Sequence, residues 1–398
     1  MKLFWRLHKN PVEDSTMPLL LDFSNGNHEL STASFSTYAQ GGFGDGALGF
    51  KEPPSALVRD AAARWLGQVV RATDAQGRVA YEGLVAEVKA ATGHHAYARG
   101  LDEFANYVYS EFDWAGSYAG FGKCTKGEVC RGRQLAIESD VDTAGQTVTL
   151  LGIKEYWQDV GSGPITPTLG LEASQVRLRE RLKKRSLDTD MGTSRPNSIE
   201  LTLWGWYSTL KFRKTGKGYN AYTDIATVIA GGMSTGNKAQ YIDQTDLTNM
   251  LAVGKTIVYN SSNDVMWLQD WIQGAIVGGD AAGRVLFFQI WEDRKPWLFS
   301  RPTAPRYFTR ADSDKLFDAS RNVIPPYLVR AGAYIVAESA ESSLDDYSDV
   351  LDRPYRGLVQ RTDYDDVRES LRVPSDSGVL VTDEILLARA HRRLRSKR

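Results

Sequence analysis

The segment from Val69 to Val88 constrains this fold more than any other. Val69-Val70-Arg71-Ala72-Thr73 runs into Asp74-Ala75-Gln76-Gly77 and returns through Arg78-Val79-Ala80-Tyr81-Glu82-Gly83-Leu84-Val85. Asp opens the turn and Gly closes it, because Asp bonds its own backbone and Gly takes the dihedral that a tight reversal needs. Val79 and Tyr81 alternate with Arg78, Ala80 and Glu82, a period of two that marks a strand. The alternation loosens after Gly83, which predicts a bulge there. Upstream, residues 17–50 are rich in Gly, Ser and Thr, with Phe23, Phe35, Tyr38, Phe43 and Phe50 spaced among them. Turns and short strands suit that composition, since aromatics favour a pleated surface.

Helices are expected in fewer places. Leu57, Ala61 and Trp65 share a face and predict a short helix stopping near Gly67. Leu101, Phe104, Ala105, Val108 and Phe112 predict a second. Strand character returns at Gln134–Glu138 and again at Gln146–Leu150, after a turn at Ala144-Gly145. Ile199–Tyr207 opens the second half as a strand. Three short helices follow: one capped by Thr223 and stopped by Gly231-Gly232, one around Leu247, Met250 and Leu251, and one capped by Asn263 with Val265, Leu268, Trp271 and Ile272 on one face. Arg284–Trp291 and Trp297–Phe299 flank a turn at Glu292–Pro296. The first of these runs is apolar on both faces, as a buried strand requires. Pro325-Pro326 leads into a late strand through Val336. Acids at Asp383 and Glu384, followed by Arg389, Arg392, Arg393 and Arg395, suit the dipole of a terminal helix.

The fold class read from this pattern is α+β and β-rich: two barrel-like or sandwich modules, a small α/β insertion and a C-terminal helix. Residues 1–16 are expected to be an N-terminal arm. Residues 17–160 form a first β-rich domain with one or two helices, and 161–198 a linker. Residues 199–345 form a second domain, with an α/β insertion at about 219–280 and a β module at about 284–338. Residues 346–398 are a C-terminal extension ending in the helix. The linker carries Arg177, Arg179, Arg181, Lys183, Lys184 and Arg185, diluted by Glu172, Glu180, Asp188 and Asp190. A solvated connection is expected there, with a contact to nucleic acid as the alternative. Phe4 and Trp5 in the arm, and Arg389, Arg392, Arg393 and Arg395 in the tail, are the candidate partner-docking residues.

Composition excludes more than it assigns. The chain has 398 residues, 42% of them hydrophobic and 24% charged, which is enough to fill a sizeable core. Its 48 basic and 49 acidic residues leave a net charge of −1, so no overall field draws it to nucleic acid or an anionic membrane. No apolar run is long enough to span a bilayer, so no membrane insertion is expected, and no secretion signal is read at the start. With five His and two Cys, neither a zinc ribbon nor a disulfide-rich scaffold is possible. Cys124 and Cys130 flank a loop centred on Gly127. A disulfide and a reduced pair both fit.

Motifs for chemistry are few. Gly44-Asp45-Gly46-Ala47-Leu48-Gly49 has the G-x-G-x-x-G form, but Pro53-Pro54 follow where a dinucleotide site needs a helix start. Gly232-Met233-Ser234-Thr235-Gly236 has the G-x-S-x-G form, yet a helix precedes it and His391 is the one later histidine. Adjacent His94 and His95 point apart in either regular structure and chelate poorly. Glu292 and Asp293 are the candidate carboxylate pair for glycoside chemistry, which the Trp content would suit; exposed turn acids are the plainer expectation. Asp345-Asp346, or Asp363 with Asp365 and Asp366, have the chemistry for Ca²⁺ but read as a solvated face. The expectation is therefore no catalytic residues, no metal and no cofactor.

Three segments resemble a known family. Val69-Val70-Arg71 with Val79-Ala80-Tyr81-Glu82-Gly83-Leu84-Val85 is similar to a G-x-V-x-Y/F-E-G-x-V strand pair. The Thr- and Asp-rich region before Gly254, with the aromatic hairpin at 284–299, forms the second. Pro325-Pro326-Tyr327-Leu328-Val329-Arg330-Ala331-Gly332 is similar to P-x-x-V-x-P-G, with Ala331 where a Pro is expected. Over about half the chain, these resemble the baseplate-hub type of tail protein from tailed bacteriophages. The resemblance implies a non-enzymatic virion component, assembled in the host cytoplasm. It also implies a ring, a trimer favoured, that continues the tail tube and docks other tail proteins. Nucleic-acid contact is not part of that picture. A carbohydrate-binding or carbohydrate-active protein, and a nucleic-acid-associated virion protein using 177–185 and 389–398, are the alternatives.

Overall fold

A computed structural model describes residues 3–24, 29–125, 128–161, 164–190, 194–215, 219–259, 265–300, 306–310, 313–338 and 356–373. The architecture is α+β and strand-rich, built on one thirteen-stranded sheet with five smaller sheets beside it.

The first strands are β1 (Phe4–His8), β2 (Leu19–Asp22), β3 (Leu30–Tyr38) and β4 (Gly41–Phe50), then helix α1 (Ser55–Arg64), β5 (Val69–Thr73), β6 (Val79–Gly93) and β7 (His95–Gly100). β1 lies between β2 and β5, so the expected N-terminal arm is an inner strand instead. Leu3, Trp5 and Leu7 alternate into the core, and Trp5 is 1% exposed. Trp5 is therefore no docking anchor, and Phe4 sits half-buried under the Arg6 guanidinium, 5.6 Å from its ring. The alternation spans too few residues to stand out in the sequence. The β5–β6 hairpin forms as read, with Val69 opposite Leu84 and Arg71 opposite Glu82. The bulge is not at Gly83. The register slips between Ala72 and Thr73 instead, while Gly83 leaves room for the Trp204 carbonyl, which a Cβ would meet at 2.5 Å. β6 is buried on both faces from Ala80 to Ala86, which is why its alternation fades.

A satellite layer follows: β8 (Tyr107–Trp114), β9 (Gly116–Tyr118), β10 (Gly122–Cys124), β11 (Cys130–Ile137), helix α2 (Thr147–Leu151), β12 (Glu155–Asp159) and helix α3 (Pro167–Lys183). The helix expected across Leu101–Phe112 is a turn running into β8. Val108, Ser110, Phe112 and Trp114 alternate inward, so a period of two competes with the helical spacing and wins. The strand expected at Gln146–Leu150 is α2. The expected linker is also overturned: α3 starts on the Thr166 cap with Pro167 in its first turn and packs on β8 and β11. Gly170 rests on the Phe112 ring, and Ser174 Oγ donates to Ser110 Oγ at 2.7 Å. Much of the basic run is spent locally. Arg177 pairs with Glu180 at 2.8 Å, Lys184 with Glu103 at 2.7 Å, and Arg181 covers the Tyr156 ring at 3.9 Å.

β13 (Ser186–Thr189) and β14 (Arg195–Trp204) return to the large sheet. β14 lies between β4 and β6, so the sheet runs unbroken across the expected boundary between two domains. The insertion holds β15 (Lys214–Thr215), β16 (Tyr219–Asp224), helix α4 (Ile225–Ser234), β17 (Thr256–Tyr259), β18 (Met266–Trp267) and helix α5 (Leu268–Ile276). Asp224, not Thr223, caps α4, accepting from Ala226 N at 2.9 Å. Gly231-Gly232 does not stop the helix, because Gly232 is the point where α4 meets Trp271 of α5. Leu247–Leu251 forms turns rather than a helix, with Asp243 and Asp246 taking the local N–H groups at Thr245 and Thr248. Asn263 lies outside the described residues.

The last strands are β19 (Leu286–Ile290), β20 (Pro296–Ser300), β21 (Arg306–Arg310), β22 (Ser313–Phe317), β23 (Val323–Ile324), β24 (Tyr334–Glu338), β25 (Arg356–Leu358), β26 (Arg361–Asp365) and β27 (Ser370–Arg372). β19 is buried throughout, as its apolar run predicts, and pairs with β20 and with β4. β26 pairs with β3, so part of the expected C-terminal extension completes the large sheet. Its order is β2-β1-β5-β6-β14-β4-β3-β26-β27, with β7 and β13 branching from β6 and the β19–β20 hairpin from β4. No ladder among the described residues joins the end strands β2 and β27, so closure of this sheet into a barrel is not shown. An aromatic cluster packs on the sheet: Trp5, Phe35 and Phe43 each contact Tyr81, whose Oη donates to Gly44 O at 3.0 Å. The terminal helix and Arg389, Arg392, Arg393 and Arg395 lie outside the described residues.

Candidate assembly surface

β2 is the open end of the large sheet. It pairs with β1 alone among the described residues, which leaves one row of backbone groups without a neighbouring strand. The turn before it is tightly built. Asn10 is fully buried; its amide donates to Gly67 O and Tyr241 Oη, and its Oδ1 accepts from Val12 N at 2.8 Å. The His8 ring nitrogen Nδ1 bonds Met17 O at 2.9 Å, and burial holds that imidazole below its ordinary pKa. Met17 takes a φ of 47°, after which Pro18 releases the chain into β2. This turn presents Leu19 and Leu20 at 53% and 45% exposure.

Beside the edge runs a groove of about 600 Å³, lined on its apolar side by Leu7, Leu20, Leu21, Leu57, Leu66 and Leu151. α1 and α2 supply its far wall. Gly67, at φ 79°, keeps clear of Leu151, whose Cδ2 a Cβ would strike at 2.2 Å. Four of the five rim charges pair, Lys9 with Glu13 at 2.9 Å and Arg64 with Asp60, while Arg99 donates to Leu182 O at 3.1 Å. The surface is thus apolar, with Arg99 as a single excess positive charge among the described lining residues. The signal for it in the sequence was Leu19-Leu20-Leu21 after Pro18, inside a segment otherwise rich in Ser and Thr.

A second open edge is β13. All four of its residues are exposed, Leu187 at 62%, and it pairs only with β7 among the described residues.

The residues singled out for chemistry are not brought together. Cys124 and Cys130 are joined as a disulfide, with Cα atoms 6.0 Å apart, tying β10 to β11; Gly127 lies outside the described residues. Gly44, Gly46 and Gly49 sit within β4, where they make room for Tyr38, Tyr81 and Ser31 and not for a phosphate. Ser234 ends α4, and His391 lies outside the described residues. His94 Nδ1 bonds Asp190 O at 3.0 Å and His95 Nδ1 bonds Thr189 Oγ1 at 3.1 Å, each fastening β13 to the β6–β7 turn. Glu292 gives both oxygens to Arg330 Nη2, at 2.9 and 2.8 Å, while Asp293 accepts from Lys295 N at 3.1 Å. Asp293 also accepts from Trp297 Nε1 at 3.4 Å. Asp363 accepts from Ser36 Oγ at 2.6 Å, Asp365 pairs with Arg368, and Asp366 turns inward. Asp345 and Asp346 lie outside the described residues.

Two buried charges escaped the sequence reading. Glu82 is fully enclosed, accepting from Arg71 Nε and from Trp206 Nε1 at 3.2 Å; burial pushes its carboxyl up to about 7. Lys154 lies 5.4 Å over the Phe212 ring, and burial brings its amine down to about 8. Among the described residues no helix is long and apolar enough to cross a membrane. Comparison with protein-family models, with curated proteins and with solved structures finds no match.

Proposed function

We propose that this chain is a structural subunit of a bacteriophage tail, of the baseplate-hub kind, which assembles with copies of itself into a ring and docks neighbouring tail proteins in the virion. The observation that carries the proposal is the open β2 edge, with Leu19 and Leu20 beside an apolar groove. An edge of this kind invites another strand. The occupant we assign is β13 of the next copy. It is itself an open edge with Leu187 outward, and four of the five rim charges of the groove are already paired with each other. Pairing two different edges is a heterologous contact, and such contacts close into rings when the rotation per copy allows.

The test is the oligomeric state by light scattering and negative-stain imaging. The wild-type chain is expected to form closed rings. Leu20→Asp and Leu187→Asp should each give monomers. A mixture of the two variants should give dimers, because one intact copy of each edge remains. A wild-type chain that stays monomeric at every concentration and in the presence of tail partners overturns the proposal.

A further inference from the structure

A second concavity lies against the β19–β20 hairpin, lined by Gln289, Trp297 and Phe299. It has a volume of about 320 Å³, at the lower end of the range for small-ligand sites. Trp291, Trp297, Phe299 and Tyr307 wall it, Asn249 and Thr248 edge it, and the backbone of Ala331–Ala333 forms one side.

The walls are fixed before any ligand arrives. Gln289, buried beneath, donates to Ala39 O at 2.9 Å and Ala331 O at 3.2 Å, and accepts from Trp291 Nε1 at 3.2 Å. Gly332, at φ 88°, lets the backbone pass close over that amide, which a Cβ would meet at 2.5 Å. The loop carrying Asn249 is held by Leu298 N, which donates to Asn249 O at 3.0 Å. The Arg330 guanidinium lies 4.5 Å over the Trp291 ring.

Three features narrow the ligand. Arg330 is the single charged lining residue, and Glu292 already neutralises it through both oxygens, so an anion would have to displace that carboxylate. The Asn249 side-chain amide and the Nε and Nη1 of Arg330 form no hydrogen bond among the described residues. A purely apolar ligand would strand these donors away from water. The aromatic walls offer flat faces that suit a ring with an apolar side. A ligand that is neutral, flat, apolar on one face and hydroxylated at its edge meets all three.

We propose that this groove binds a neutral saccharide ring, stacked on the aromatic wall, with its hydroxyls taking the Asn249 amide and the free guanidinium nitrogens of Arg330. Binding, not hydrolysis, is the activity assigned: no carboxylate lines the groove among the described residues, and the nearby Glu292 and Asp293 are engaged by Arg330 and Trp297. The site stands independently of ring assembly through β2 and β13.

Saturation-transfer NMR on the full chain tests it, with the methyl glycosides of glucose, galactose, mannose, N-acetylglucosamine and rhamnose as probes. Ring-proton signals are expected from at least one glycoside. Trp297→Ala should abolish them, and Asn249→Ala should weaken them several-fold, with the circular dichroism spectrum unchanged. Asn249 is a loop residue, so its variant keeps the test open if the Trp297 variant fails to fold. The proposal falls if no glycoside gives a signal, or if the signal survives in Asn249→Ala at full strength. It falls equally if benzoate gives transfer while every sugar is silent.

Discussion

The indole N–H of Trp5 donates to the Asp366 carboxylate at 3.0 Å, joining residues 361 positions apart. The other oxygen of that carboxylate accepts from Leu3 N at 3.4 Å and from Tyr364 Oη at 3.5 Å. β1 is thereby tied to the chain just beyond β26, across the mouth of the curled sheet.

Replacing Asp366 by Ala removes the acceptor and leaves a buried indole N–H unpaired. The expected loss is about 2–3 kcal/mol, the cost of stranding donors that bonded a charged group. Asp366→Asn keeps an acceptor and should lose less. Urea unfolding of the two variants beside the wild type checks the order.

Glu82 gives stability a pH dependence of known sign. Its carboxyl is near 4.5 when unfolded and about 7 when folded, so the native state holds a proton that the unfolded chain releases. Its contribution, about 3 kcal/mol, is fully present below pH 4.5 and is lost as pH rises to 7. Glu82→Gln keeps an acceptor for Trp206 and does not titrate. The difference in melting temperature between the two proteins should change between pH 4.5 and 7 and stay flat above.

Gly42 takes a φ of 86°, and a Cβ there would lie 2.3 Å from the Ile290 carbonyl oxygen, where β19 meets β4. Gly42→Ala should cost more than about 2 kcal/mol, since clash and backbone strain add. Gly77 has φ 79° with nothing within 4 Å. Gly77→Ala carries only the strain, about 1 kcal/mol. Equal losses in thermal melts would contradict this account.

The disulfide closes a loop with a sequence separation of six. Such a short loop confers about 2 kcal/mol. Cys124→Ser with Cys130→Ser should speed proteolytic cutting of the β9–β10 hairpin. The β8–β11 ladder, seen by amide exchange, should persist, because Val108 and Ala136 are buried with Leu178 in a cluster that excludes the bridge.

The elements legible in the sequence were those with local causes. The β5–β6 turn follows from Asp74 and Gly77, whose N–H donates to Asp74 O at 3.0 Å, and α1 from its apolar stripe. Buried β19 announced itself by composition. Misreadings arose where distant partners decide. Gly232 looked like a helix stop because Trp271, which needs its bare Cα, lies elsewhere in the chain. Leu101–Phe112 has helical spacing, yet β11 and β12 recruit its second half as a strand. The domain boundary failed for the same reason: β14 follows a charged stretch but pairs backward with β4 and β6. The assembly edge left only a run of three Leu as its trace.

The pairing of β3 with β26 also sets a timetable for synthesis. β3 pairs with β4 on one edge, but its other edge waits for Arg361–Asp365, with Ser36 and its partner Asp363 separated by 327 positions. Until that strand is made, one edge of β3 has no partner within the large sheet. Ladders closed over such separations form slowly. In that interval the free edge of β3 is open to pairing with another half-made copy, which slow expression would lessen.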